Sequence, residues 1–227
     1  MHRKNLWIVI PTYNEEKVIS EMLDKLLKEG YHNILLVNDG STDATLKIAR
    51  QKPIQILSHA FNRGVGAATQ SGIKLALELG AELIVNIDAD CQHDVKDIAN
   101  LIIPILDGEA EIVLGSRFKS KESGVPLVRR LENRAMNLLT WLLFGLKVSD
   151  SQSGFRAFSR KAAKIIKIHG NGFEACSEII REIAWYKLRY REVPIHVTYS
   201  EYSMSKGQSF ANGIVTVAKL IARSLMR

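Results

Sequence analysis

The chain has 227 residues, 46% of them hydrophobic and 24% charged, with a formal net charge of +7. That length supports one domain with a sizeable core, and the composition excludes a disordered or low-complexity polymer. Two cysteines without paired spacing, Cys91 and Cys176, exclude a zinc finger and a disulfide framework, while the basic balance suits an anionic partner without choosing its kind.

The N-terminus carries His2, Arg3 and Lys4, but its apolar run, Leu6–Ile10, is too short for a signal peptide and reads as a first strand. Glu15–Lys28 reads as a helix, because Val18, Ile19, Met22, Leu23, Leu26 and Leu27 fall on one stripe. Asn33–Val37 is a second strand, Thr42–Arg50 a helix capped by Ser41, and Ile54–Leu57 a third strand. Gly64–Leu79, Glu82–Ile87, Val95–Leu106 and Ile112–Leu114 continue as helix, strand, helix, strand. This alternation predicts an α/β fold with a mostly parallel, Rossmann-like sheet flanked by helices. Beyond Ser116 it stops. A long helix is expected over Val128–Leu146, a strand over Phe155–Phe158, helices over Lys161–Ile168 and Cys176–Leu188, and a strand over Glu192–Val197. A final amphipathic helix follows over Ser209–Met226. No repeat or linker interrupts the chain, so residues 1–227 read as one domain. The uncharged stretch Ala135–Leu146 has 12 residues, short of the ~20 a membrane span needs.

Ligands of such sheets bind outside the carboxyl ends of the strands. Pro11-Thr12-Tyr13-Asn14-Glu15-Glu16 closes the first strand. Proline ends the ladder there, Tyr13 can lay its ring on a base or ribose, and Glu15 can accept hydrogen bonds; acidic residues in a first helical turn also suit the helix dipole. Val37-Asn38-Asp39-Gly40-Ser41-Thr42-Asp43 closes the second strand. Asp39 can take N–H donors from a base and Gly40 permits a positive φ, although a capping turn uses the same residue types. Asn62-Arg63-Gly64-Val65-Gly66-Ala67-Ala68 lacks the third glycine of a dinucleotide loop and comes too late in the chain. Small residues packing a helix closely on the sheet explain it better.

The fourth strand ends in Ile87-Asp88-Ala89-Asp90-Cys91-Gln92-His93. Strand alternation points Asp88 and Asp90 the same way. Two hard oxygen donors on one side can hold a divalent cation, Mg²⁺ or Mn²⁺, leaving positions for diphosphate oxygens. For an isolated Asp-x-Asp, a solvated turn is the plain alternative.

Taken in order, Pro-Thr-Tyr-Asn-Glu, Asn-Asp-Gly-Ser-Thr-Asp, Asp-Ala-Asp-Cys-Gln-His and Gly115-Ser116-Arg117 resemble the inverting family-2 glycosyltransferases of the GT-A fold. Asp150-Ser151-Gln152-Ser153-Gly154-Phe155-Arg156-Ala157-Phe158, then Gly172-Phe173 with Glu178, then Glu192-Val193-Pro194-Ile195, look like the polyprenyl- and dolichyl-phosphate sugar synthases. The similarity runs from about Leu6 to Lys206. It implies that Pro11, Tyr13, Glu15, Val37 and Asp39 hold base and ribose. It also implies that Asp88, Ala89, Asp90 and Gln92 form the metal and diphosphate site, with Asp88, Asp90 and Gln92 as ligands and His93 structural. Arg117 and Lys206 match cations that meet the phosphates at the reaction centre, so Asp90, Arg117 and Lys206 carry the chemistry. A nucleotide-sugar half over about 1–117 and an acceptor half over about 118–227 follow, with a GDP- or UDP-sugar as donor and no nucleic acid partner.

The C-terminal loop departs from the family pattern. Ser200 stands at the arginine position and Ser203 replaces glycine, which points away from a GDP-mannose enzyme and toward a UDP-sugar. Leu138, Leu139, Trp141, Leu142, Leu143 and Phe144 make the long helix apolar on more than one face, just after Arg129, Arg130 and Arg134. We read this helix as a platform for the acceptor lipid, with the arginines on its phosphate; a buried core helix is the alternative. The expected activity is inverting transfer of a hexose to a polyprenyl phosphate by a peripheral protein on the cytoplasmic face of a membrane. A small hydrophobic membrane partner is also expected, since most relatives carry hydrophobic helices beyond this point. Two other readings stay open: transfer to a polysaccharide or protein hydroxyl, with Glu178 as candidate base, and a non-catalytic nucleotide-binding subunit.

Overall fold

The computed structural model describes residues 5–120, 125–172 and 174–199. The elements are β1 Leu6–Thr12, α1 Ile19–Lys28, β2 Ile34–Asn38, α2 Thr45–Ala49, β3 Gln55–Ser58, α3 Val65–Glu78 and β4 Leu83–Asn86. They continue as α4 Ile98–Leu106, β5 Ile112–Ser116, α5 Leu127–Phe144, β6 Arg156–Ser159, α6 Arg160–Ile165, α7 Glu174–Trp185 and β7 Tyr190–Pro194. The strands form one sheet in the order β3-β2-β1-β4-β6-β5-β7. All neighbours are parallel except β6, which runs antiparallel to both β4 and β5.

Strand alternation sorts the core into two layers. Ile8, Ile10, Leu36 and Val85 join Met22, Leu23, Leu26, Ile98 and Leu101 on one face. Val9, Leu35, Val37 and Ile84 join Ile73, Ala76, Ile179 and Ile180 on the other. Each fully buried aliphatic side chain stabilises by ~1.5–3 kcal/mol. The chain leaves β1 for β2 and β3 on one side and returns to β4 on the other. That reversal opens a crevice at the carboxyl ends of β1 and β4.

Several boundaries differ from expectation, each for a tertiary reason. The β1 ladder continues through Pro11, which pairs with Val37, to Thr12. Ile8 N–H donates to Asn33 O, so alternation turns the Pro11 nitrogen toward β4, whose pairing ends at Val9 and Asn86. The donor that proline lacks therefore costs no ladder bond. Ser41 does not cap a helix; its hydroxyl accepts the Asn14 N–H at 3.0 Å, and α2 begins only at Thr45. β7 starts at Tyr190, ahead of the expected Glu192, because Tyr190 is in register with Ile112 of β5. The strand expected near Phe155 does more than elaborate an edge: as β6 it separates β4 from β5, so both halves of the chain build one sheet.

Among the described residues, no helix is long and apolar enough to cross a membrane. Lys206, Ser200, Ser203 and the helix expected over Ser209–Met226 lie outside the described residues.

Candidate active site

Two loops at the carboxyl ends of β1 and β2 are stitched together. Asn14, at φ 53°, accepts the Thr42 N–H on its side-chain oxygen at 2.9 Å. Glu15 N–H donates to Thr45 Oγ1 at 2.7 Å, Glu16 N–H to Asp43 Oδ2, and Ala44 N–H to Glu16 Oε2. This zipper draws Glu15 and Glu16 out of the helix expected from Glu15, which begins only at Ile19. It leaves Tyr13 41% exposed above the crevice, while Pro11, Glu15 and Val37 are buried.

Asp39 is 3% exposed at its side chain. It accepts the backbone N–H groups of Arg63 and Gly64, the latter at 2.7 Å, and its Oδ1 lies 2.6 Å from His59 Nδ1. The lone pairs expected to meet a base thus hold the loop that leads into α3. Gly64 and Gly66 are small for a different neighbour than expected: a Cβ on either would strike the backbone of Asn171 or Gly170. Gly72, by contrast, does pack on the sheet, against Val9 and Val37.

β4 ends at Asn86, so Asp88 and Asp90 project from a turn rather than from an extended strand. Asp90 Oδ1 accepts the Gln92 N–H at 3.0 Å, and Cys91 takes φ 59° to close the turn. Ala89 is buried. Burial, then the charge of Asp88, push the Asp90 carboxyl up to about 6. The two acids therefore sit close enough to repel each other. Gly154 touches Asp88 so closely that a Cβ would lie 2.6 Å from both carboxylate oxygens. The His93 ring is buried, 4.9 Å from the Phe155 ring, with Nε2 3.6 Å from Asp88 Oδ2. Among the described residues, no three His, Cys, Asp or Glu side chains form a ready cation cluster.

At the end of β5, Arg117 grips Asp150 with Nε at 2.8 Å and Nη2 at 2.9 Å, and its backbone N–H donates to the same carboxylate. Burial opposes the Arg117 charge, but the hydrogen bonds and charge of Asp150 outweigh it and raise the guanidinium pKa. Asn137 of α5 holds the same loop, donating to Ser149 O and accepting the Ser151 N–H. Arg130 and Arg134 line a pocket of about 340 Å³ with Phe118, Asn133, Asn137 and Ser149. Arg129 faces Glu132 at 3.3 Å and is not among that pocket's lining residues.

The outer surface of α5 is rich in large apolar side chains: Leu127, Val128, Leu131, Leu138, Trp141 and Leu142 are exposed, with Arg130 and Arg134 exposed among them. Its two fully buried positions, Asn133 and Thr140, are polar, with Met136, Leu143 and Phe144 half-buried beside them. That is the reverse of a helix packed on a water-soluble core. The structure thus gathers the Asp88–Gln92 turn, Tyr13 and Arg117 around the strand ends, and groups Arg130 with Arg134. Asp150 and Arg156 carry the second half of the site without a role that sequence reasoning gave them. Their only signal was the motif that contains them. Glu178 is fully buried and accepts the His169 and Gly170 N–H groups, which is a structural placement.

In comparisons with known proteins, the chain is 40% identical over 229 residues to an uncharacterized protein of Methanocaldococcus jannaschii, covering 99% of this chain and 94% of that one. It is 38% identical over 242 residues to the UDP-N-acetylglucosamine--dolichyl-phosphate N-acetylglucosaminyltransferase of Methanococcus voltae, covering 97% and 96%. The fold is similar to that of glucosyl-3-phosphoglycerate synthase from Mycobacterium tuberculosis, solved with Mn²⁺, uridine diphosphate and phosphoglyceric acid. The TM-score is 0.74 at 19% identity, over 98% of this chain and 77% of that one. Residues 7–166 match the profile of Glycosyl transferase family 2, and the chain belongs to that family.

Proposed function

We propose that this chain transfers a hexose from a uridine diphosphate sugar to a polyprenyl phosphate at a membrane surface, inverting the anomeric centre. The observation that carries the lipid acceptor is the reversed polarity of α5. Six large apolar side chains are exposed on its outer surface, interspersed with Arg130 and Arg134, which line the adjoining pocket. Arginines suit a phosphate and the greasy surface suits acyl or prenyl chains. The relative from Methanococcus voltae, which acts with a UDP-sugar on a dolichyl phosphate by its name, supports both the donor and the acceptor.

Asp88, Asp90 and Gln92 would hold a divalent cation, Mg²⁺ or Mn²⁺, which when bound neutralises charge on the departing diphosphate. The residues fit such an ion. Small divalent cations commonly take one or two carboxylates plus substrate phosphates rather than a closed protein cage. Burial, then repulsion from Asp88, pushes Asp90 up, and a cation would offset both by favouring the ionised carboxylate. Tyr13 stands ready to cover the base or ribose. Arg117, held by Asp150, adds fixed charge near the acceptor pocket, and Lys206 is assigned the same task. A lipid phosphate is ionised near neutral pH and attacks without a general base. A hydroxyl acceptor would need one, and Glu178, the candidate, is already committed to two backbone N–H groups.

The test is a partition assay. Purified protein is incubated with labelled UDP-hexose, Mn²⁺ and polyprenyl phosphate in vesicles, then extracted into organic solvent. Label appearing in the lipid phase only when polyprenyl phosphate is present supports the reading; label passing solely to a water-soluble acceptor rejects it.

A further inference from the structure

Glu192 opens the Glu192-Val193-Pro194-Ile195 motif and stands on β7 in register with Leu114 of β5, its side chain 12% exposed. Its Oε1 accepts both the backbone N–H and the hydroxyl of Ser149, each at 2.7 Å. Its Oε2 lies 3.6 Å from Lys119 Nζ. A carboxylate only accepts, and a serine hydroxyl carries one hydrogen. Ser149 therefore gives that hydrogen to Glu192 and accepts from Ser116 Oγ at 2.7 Å. Ser116 Oγ in turn accepts the Phe118 N–H. The direction of the whole chain of bonds is set at its Glu192 end.

Ser116 and Ser149 immediately precede Arg117 and Asp150. Two pairs of contacts thus run side by side: serine on serine, and guanidinium on carboxylate at 2.8 and 2.9 Å. From α5, Asn137 holds the carbonyl of Ser149 and the N–H of Ser151. Asp150 therefore sits in a loop clamped by β7 and by α5. Ser149 lines the pocket of Arg130 and Arg134, and Glu192 is not one of its lining residues. The carboxylate acts on the pocket wall from behind, through one serine, with Lys119 beside its second oxygen. We propose that Glu192 is a positioning residue for the sugar transfer described under Proposed function, on which this role rests. Through Ser149 it fixes where Asp150 stands, and Asp150 fixes the direction of the Arg117 guanidinium. Without the anchor, Arg117 and Asp150 still pair, but the pair shifts with its loop. A displacement of about 1 Å at a reacting centre can cost on the order of 10²-fold in rate.

The test is a double-mutant cycle, with kcat and KM measured on UDP-hexose, Mn²⁺ and polyprenyl phosphate vesicles. Glu192→Ala is expected to lower kcat about 10-fold or more while KM for the UDP-hexose moves by less than about 3-fold. Glu192→Gln keeps an oxygen able to accept both Ser149 bonds and is expected to hold kcat within about 3-fold of wild type. Arg117→Lys removes the bidentate fork. Adding Glu192→Ala to it is expected to cost no more than about 2-fold further, because the anchor then has no fork to aim. Ser149→Ala removes only the hydroxyl link and decides the matter where Glu192→Ala does not fold; its loss in kcat is expected to vanish in the Arg117→Lys background in the same way. Wild-type kcat in Glu192→Ala, or losses that multiply in the double variants, overturns the role of Glu192 and leaves the lipid-phosphate reading intact. No lipid product from the wild-type chain overturns that reading itself.

Discussion

At the scale of single residues, the site is a set of charges held in place by other charges. Asp90 is the clearest case. Its carboxyl sits at about 6 in the folded chain against an ordinary 3.8, so the fold favours the protonated form. The resulting cost to stability is absent below the ordinary value, grows as pH rises toward 6 and is complete above it. In metal-free protein at pH 7.5, Asp90→Asn is expected to gain on the order of 2 kcal/mol and several degrees in Tm, a gain that vanishes near pH 4. The same variant is expected to lose at least about 10²-fold in kcat with Mn²⁺. Calorimetry across pH, paired with turnover, checks both; a destabilised variant at pH 7.5 contradicts the electrostatic account. Asp150 has the opposite character. It is 1% exposed and paired with Arg117, so Asp150→Ala is expected to cost about 3–5 kcal/mol by stranding a guanidinium. Denaturant melts measure this, and a loss below about 1 kcal/mol contradicts it. The Asp88–Gln92 segment stands out in sequence because its members are adjacent, although its turn geometry replaces the extended strand end expected there. The Arg117–Asp150 pair spans 33 positions, and no local pattern announces which distant acid a given arginine meets. Ser41 was misread as a cap for the same reason, because its partner Asn14 lies 27 positions away.

At the scale of elements, α5 carries the proposed contact with the acceptor lipid. Periodicity located the helix to within two residues at each end but left open which face is buried. Apolar residues nearly encircle its second half, and only the tertiary bonds of Asn137 and Thr140 settle the matter. Leu138 and Leu142 are 53% and 68% exposed. Leu138→Glu with Leu142→Glu is therefore expected to leave Tm nearly unchanged, as exposed substitutions do. Binding to anionic vesicles is expected to fall about 10-fold or more. Vesicle sedimentation is the readout. A large loss of Tm with vesicle binding retained would mean that this surface packs against protein instead.

For the whole molecule, the sheet order matters more than the count of strands. Alternation predicted the parallel core, because each βαβ step is local and right-handed crossovers leave little choice. It did not predict that β6 inserts between β4 and β5, since an antiparallel strand from the second half carries no local mark of its neighbours. One consequence can be tested directly. Among the described residues β5 pairs only with β6 and β7, so a fragment of residues 1–117 would lack both of those partners. Such a fragment is expected to lack a cooperative thermal transition by circular dichroism; a sharp transition like that of the full chain contradicts the view that both halves build one fold.

The most direct measurement follows the oxygen that joins sugar to lipid. Polyprenyl phosphate labelled with ¹⁸O at its terminal phosphate oxygens is turned over with unlabelled UDP-sugar, and both products are weighed by mass spectrometry. Attack by the lipid phosphate on the anomeric carbon predicts release of unlabelled UDP and a sugar-lipid that keeps every labelled oxygen. Release of UMP, or a lipid that gains no sugar while UDP accumulates, contradicts it.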